Sequence, residues 1–80
     1  MSTSQHHVSH GTPEAYREFI AEMLGMARIQ AEIGETYAAT GDDAGLDYAM
    51  RRLAAYTRAA LGTLADLKTE KHGGADECAA

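Results

Sequence analysis

The sequence predicts an all-α fold, an antiparallel two-helix hairpin that dimerises into a four-helix bundle. Two long segments repeat their apolar residues every three to four positions, the period of an amphipathic helix. A short turn, Gly41-Asp42, separates these segments. The apolar face of each segment spans roughly half of the helix circumference, whereas a helix with one neighbour needs a stripe of about 100° or slightly more.

The first helix is expected at residues 13–39. Thr12 is a good N-cap residue, and Pro13 suits the first helical position, where its missing N–H costs nothing. Glu14 favours the positive end of the helix dipole. On this helix the residues expected in the dimer core are Phe19, Met23, Met26, Gln30 and Ile33.

The second helix is expected at residues 43–70. Gly41 can adopt the left-handed conformation that ends a helix, and Asp42 can cap the next one. Because the connection is short, the two helices should run antiparallel. Asp47 and Arg51 are four residues apart and should pair on the helix surface. The residues expected in the dimer core on this helix are Met50, Leu53, Thr57, Leu61 and Leu64.

Residues 1–11 and 73–80 are expected to be disordered tails on either side of a helical region at 12–72. Both are polar and contain few apolar anchors. The first residues have neither the basic nor the apolar stretch of a secretory signal, and no apolar run reaches the length of a membrane span. The expected location is therefore the cytoplasm, without membrane attachment.

Self-association is expected because so small a chain buries too little surface alone. A domain near this size, 80 residues, buries only about 60% of its unfolded surface. One cysteine cannot form an intrachain disulfide. A second copy covering the wide apolar faces is the simplest partner, since twofold dimers are the commonest oligomers. The sequence leaves open whether another protein supplies the second hairpin instead.

Two polar residues, Gln30 and Thr57, lie near the centres of the predicted apolar faces. A buried polar residue can fix register and partner choice in a helical bundle. Alternatively, each satisfies itself locally, Thr57 on a backbone carbonyl one turn back. The sequence does not decide between these readings.

No enzymatic chemistry is expected, and no cofactor. The helical region contains no arrangement of Ser, His and Asp or of Cys and His, and the chain has no glycine-rich phosphate loop. Its net charge of −5 disfavours direct binding of nucleic acid, which requires a basic surface. The acidic residues of the helices point outward and lack the inward Glu-x-x-His motif of di-iron bundles.

The candidate metal ligands of this chain lie near its two ends. Imidazole and thiolate groups bind zinc, nickel or copper. They occur here in segments without a preformed geometry, which favours a solvated tail over a site. These residues are His6, His7, His10, His72 and Cys78.

A partner-binding surface is expected on the outside of the bundle. Tyr and Arg are the residue types that most often anchor protein interfaces, although the arginines can instead pair with Asp47 and with glutamates of the first helix. The candidates are Tyr48, Arg51, Arg52, Arg58, Arg28 and Ile29. The expected function is therefore a small non-enzymatic adaptor, regulator or inhibitor of a larger protein. The alternatives are a metal or small-ligand carrier that uses the tails, and an acidic mimic of nucleic acid.

One ten-residue segment, from Ile33 to Asp42, resembles the first half of a tetratricopeptide unit. It has the spacing of Leu-Gly-x-x-Tyr, with Ile33, Gly34 and Tyr37, and the Gly-Asp turn. The small residue expected after the turn is displaced and no proline follows. Because the helices are about twice the expected length and the unit does not recur, as stable arrays require, no family function is carried over.

Overall fold

The computed structural model describes the backbone of residues 12–79 and the side chains of residues 12–70. It contains two helices, α1 (Pro13–Thr40) and α2 (Asp43–Ala79). The two helices pack against each other, which confirms the expected all-helical hairpin. The expected N-terminal tail, residues 1–11, lies outside the described residues.

α1 begins where its capping residues predict. The Thr12 hydroxyl accepts a hydrogen bond from the backbone N–H of Ala15 at 3.1 Å, and Pro13 occupies the first helical position. Thr12 itself is extended, with φ −114° and ψ 162°. This geometry satisfies one of the free N–H groups of the first turn, as an N-cap does.

The turn between the helices relies on one glycine in the left-handed region. Gly41 has φ 76° and ψ 20°, and its N–H donates to the carbonyl of Ala38 at 3.3 Å. The N–H of Asp42 donates to the carbonyl of Tyr37 at 2.9 Å, while a carboxylate oxygen of Asp42 accepts from the N–H of Gly45 at 2.9 Å. One turn thus closes α1 and caps α2.

α2 continues to Ala79, beyond the end near residue 70 that the sequence predicts. Six of the eleven residues after Thr69 are Ala, Glu or Lys, which form helix readily, and no proline follows Pro13. The adjacent Gly73 and Gly74 cost about 1 kcal/mol each in a helix interior, an unfavourable term that does not prohibit a helix. The side chains of the expected tail lie outside the described part of the chain.

Small residues form much of the intramolecular interface between α1 and α2. Ala49 is completely buried, and a Cβ placed on Gly34 would lie 3.6 Å from the Cβ of Ala49. The ring of Tyr37 lies against Gly45, where a Cβ would come within 2.6 Å of it. The buried residues of this interface are Tyr16, Ala27, Gly34, Ala49, Ala60 and Leu67.

These contacts fix the antiparallel register. Gly34 lies level with Ala49, and Tyr37 lies level with Gly45. Counting back along α1 and forward along α2 from the first pair, Met26 lies level with Thr57. The small residues at Gly34 and Ala49 also give a physical meaning to the tetratricopeptide-like segment, because its glycine and tyrosine are the residues that pack against the start of α2.

Candidate functional site

The hairpin leaves much of its apolar surface uncovered. Among the described side chains, no large residue is fully buried. The large apolar residues that remain exposed are Leu24, Met26, Ile29, Ile33, Tyr48, Met50, Leu61 and Leu64. Contiguous exposed apolar area of this kind signals an interaction surface, so the candidate site of this chain is a surface and not a pocket.

The exposed residues divide between the two broad sides of the helix pair. We placed each residue at about 100° per position around its helix, counted from the intramolecular interface. One side, here called the groove side, carries Ile20, Leu24, Met50, Thr57, Leu61 and Leu64. The opposite side, here called the tyrosine side, carries Phe19, Met26, Gln30, Ile33, Tyr48, Arg52 and Tyr56.

The groove side contains a shallow apolar groove of about 160 Å³, open to solvent. Leu61 is 59% exposed at its rim. Thr57, the polar residue in the lining, donates its hydroxyl hydrogen to the carbonyl of Leu53 at 2.8 Å, which is the local satisfaction considered above. The lining residues are Ile20, Leu24, Thr57, Ala60, Leu61 and Leu64. The groove therefore offers a ligand almost no polar group to bind.

The tyrosine side holds a cation between two aromatic rings. The guanidinium carbon of Arg52 lies 5.6 Å from the ring centroid of Tyr48 and 5.3 Å from that of Tyr56. Arg52 also donates hydrogen bonds to both phenolic oxygens. Among the described side chains no carboxylate pairs with Arg52, since the ion pair found there joins Arg51 to Asp47. The charge is thus held in place but not neutralised.

The ten residues expected in a dimer core do not form a single surface. None is buried in the hairpin: Phe19, Met23, Gln30, Leu53 and Thr57 are half-buried, and the other five are exposed. Those on α1 lie mostly toward the tyrosine side, and those on α2 toward the groove side. One twofold contact between broad sides therefore covers only about half of this set.

The six residues expected to bind a partner are also dispersed. Tyr48 and Arg52 lie together on the tyrosine side. Arg51 pairs with Asp47 at 2.9 Å, as expected from their spacing, and this carboxylate raises the pKa of the guanidinium. Arg58 follows on the outer face of α2. Arg28 and Ile29 are exposed residues of α1. They lie on a different helix from Arg51, Arg52 and Arg58.

Tyr56 and the groove residues Ile20 and Leu24 are absent from the sequence-based set of site residues. A signal for Tyr56 exists in the sequence, because Tyr48, Arg52 and Tyr56 recur every four positions and hence stack along one helix face. Ile20 and Leu24 share the apolar arc of α1 with the expected core residues. Their assignment to one side requires the position of α2.

One buried phenol lies where the two helices meet near the far end of the hairpin. Tyr16 is buried against α2. Burial raises the pKa of its hydroxyl, and the negative charges of Glu70 and Asp66 raise it further. Its hydroxyl forms no hydrogen bond with another described side chain, so Tyr16 acts as a packing residue.

The candidate metal ligands near the two ends of the chain lie outside the described side chains, so the structure places none of them. Within the side chains that it does describe, no three His, Cys, Asp or Glu residues come together. In the same part of the chain, neither helix has a stretch of the length and apolarity needed to cross a membrane.

Compared with models of known protein families, with curated proteins and with solved structures, the chain matches none.

Proposed function

We propose that this chain is a non-enzymatic interaction module that acts as a homodimeric helical bundle and binds a larger protein. The observation that carries the proposal is the uncovered apolar surface of the groove side. Leu24, Met50 and Leu61 each expose more than half of their surface. A lone two-helix layer has no third element to cover them, and a second hairpin supplies one.

Self-association through the groove side also suits its chemistry. The groove lining has almost no polar group, and its one hydroxyl, on Thr57, is already hydrogen-bonded. Covering it therefore leaves no buried donor without a partner, the usual cost of burying polar groups. Each fully buried Leu or Met side chain contributes about 1.5–3 kcal/mol, and several such residues are available.

The partner surface is assigned to the tyrosine side, which stays exposed in such a dimer. Tyr48 is 60% exposed, and Arg52 is held between two rings without a carboxylate among the described side chains. A guanidinium in this state can receive a carboxylate from another protein in a bidentate pair. The overall charge of −5 favours the approach of a partner that is basic outside the acidic region that contacts Arg52.

A matched pair of substitutions tests the proposal. Leu64 and Ile33 are nearly equally exposed, at 37% and 38%, but lie on the groove side and the tyrosine side respectively. Leu64→Asp should dissociate the dimer, because an unpaired charge in a covered apolar interface costs several kcal/mol. Ile33→Asp should leave the dimer intact. Sedimentation velocity of both variants decides the matter, and equal association of both would contradict the proposal.

A further inference from the structure

We infer that the second copy lies across the groove side with its twofold axis perpendicular to the helices, at the level of Thr57. In this arrangement α1 contacts α1 of the partner, α2 contacts α2 of the partner, and both pairs run antiparallel. The inference rests on the proposed function, since it specifies the geometry of that self-association.

The apolar residues of α2 are symmetric about Thr57. Met50 and Leu64 each lie seven residues from Thr57, two turns away on the same helix face. An antiparallel α2 pair centred on Thr57 therefore places Met50 against the partner's Leu64, and Leu53 against the partner's Leu61. All four residues are at least partly exposed in the hairpin, so each gains cover.

The charges of α1 are symmetric about the same level. Met26 is level with Thr57, and Arg17 and Glu35 each lie nine residues from Met26, on the groove-side edge of α1. The twofold axis perpendicular to the helices brings Arg17 opposite the partner's Glu35, and this contact occurs twice in the dimer. Neither side chain forms an ion pair within the described part of the hairpin.

The other face-to-face arrangement has its twofold axis parallel to the helices, so that α1 lies on α2 of the partner. In this arrangement each residue of α1 faces the α2 residue of the partner that lies at the same level of the hairpin. Arg17 is then level with the partner's Asp66, which lies on the tyrosine side, and its nearest charge on the groove side is the partner's Lys68. Glu35 is level with the partner's Tyr48. Because this arrangement gives neither Arg17 nor Glu35 an opposite charge on the groove side, it is disfavoured relative to the perpendicular axis.

Cysteine cross-linking tests the axis directly. The experiment uses the full chain with Cys78→Ser, so that each variant carries one thiol. Thr57→Cys lies on the proposed axis and should form a disulfide-linked dimer under mild oxidation, because the two Cβ atoms come near the required separation. Thr63→Cys, toward the tyrosine side of the same helix, is the matched control and should remain reduced.

Charge exchange tests the same geometry without a covalent bond. Glu35→Arg should weaken the dimer about tenfold, since both surface pairs with Arg17 become repulsive. The double variant Arg17→Glu with Glu35→Arg should restore the wild-type dissociation constant, measured by sedimentation. Failure of this rescue in a protein that does dimerise would overturn the inferred axis.

A mixture of Leu24→Cys and Leu61→Cys chains separates the two axes. A disulfide between these two variants, identified by mass, with none for Thr57→Cys, would show the parallel axis and overturn the inference. The proposed function would survive that result. A wild-type chain that stays monomeric at every concentration would instead overturn the proposed function itself.

Discussion

The two broad sides of this hairpin expose apolar surface in different chemical settings. The groove side presents Leu24, Leu61 and Leu64 around a hydroxyl that is already hydrogen-bonded to its own helix. The tyrosine side presents rings whose polar ends reach solvent and a guanidinium held between them. Tyr and Arg tolerate water at one end of the side chain, whereas leucine does not. This difference supports the proposal that the groove side forms the dimer contact and that the tyrosine side binds a partner.

The intramolecular interface supports both sides, and breaking it should have the largest effect. Gly34→Leu places a large side chain where the Cβ of Ala49 is close, and such overpacking costs about 1–3 kcal/mol. Gly34→Ala is the control. Its Cβ would sit at an ordinary 3.6 Å contact, and the helix gains up to about 1 kcal/mol in propensity.

The free energy of unfolding, measured at one fixed protein concentration because a dimer's stability depends on it, should fall for Gly34→Leu and stay equal or rise for Gly34→Ala. Equal stability of the two variants would mean that the helices do not approach closely at Gly34. The assignment of residues to the groove side and the tyrosine side would then be wrong.

The sequence predicts where the helices lie along the chain, but it does not predict which side of the hairpin each apolar residue faces. The helix ends depend on local features, and the structure has each of them where it was expected. These are the N-caps Thr12 and Asp42, Pro13 at the first helical position and Gly41 in the left-handed region. The side on which Met26 or Leu61 lies depends on where the second helix packs within a wide apolar arc. That position is set by Gly34 and Ala49, two small residues without a distinctive periodic signal.

The far end of α2 shows a second limit. The sequence predicts that the second helix ends near residue 70, but the helix extends to Ala79. The expected partner residues show a third limit. Their grouping relied on residue type, and the structure disperses Arg28, Arg51 and Arg58 away from the Tyr48–Arg52 cluster.

A smaller effect on stability is expected on the tyrosine side. Tyr48→Ala with Arg52→Ala removes both cation–π contacts of Arg52, and such contacts contribute about 0.5–1 kcal/mol each at exposed sites. The dimer should persist with a slightly lower melting temperature, whereas capture of the native partner from host extract should fall. Glu18→Ala with Glu22→Ala, on exposed positions of α1, is the control. Dissociation of the tyrosine-side variant would show that the two sides have been assigned in reverse.

The smallest effect concerns alkaline pH. Burial and the charges of Glu70 and Asp66 raise the pKa of Tyr16 in the folded chain. A phenol whose folded pKa exceeds its unfolded value near 10 stabilises the fold below that pH and loses this contribution as pH rises through the folded value.

Melting temperatures between about pH 8 and pH 11 should therefore fall less for Tyr16→Phe than for the wild type. If Tyr16→Phe retained the full alkaline loss, Tyr16 would not be buried in the assembled protein.

Sedimentation velocity of the wild-type chain over a concentration series shows whether this hairpin is half of a bundle. At micromolar concentrations we expect one helical species with twice the chain mass of 8.5 kDa, which dissociates on dilution. A fully helical species that keeps the mass of a single chain at every concentration would contradict this expectation.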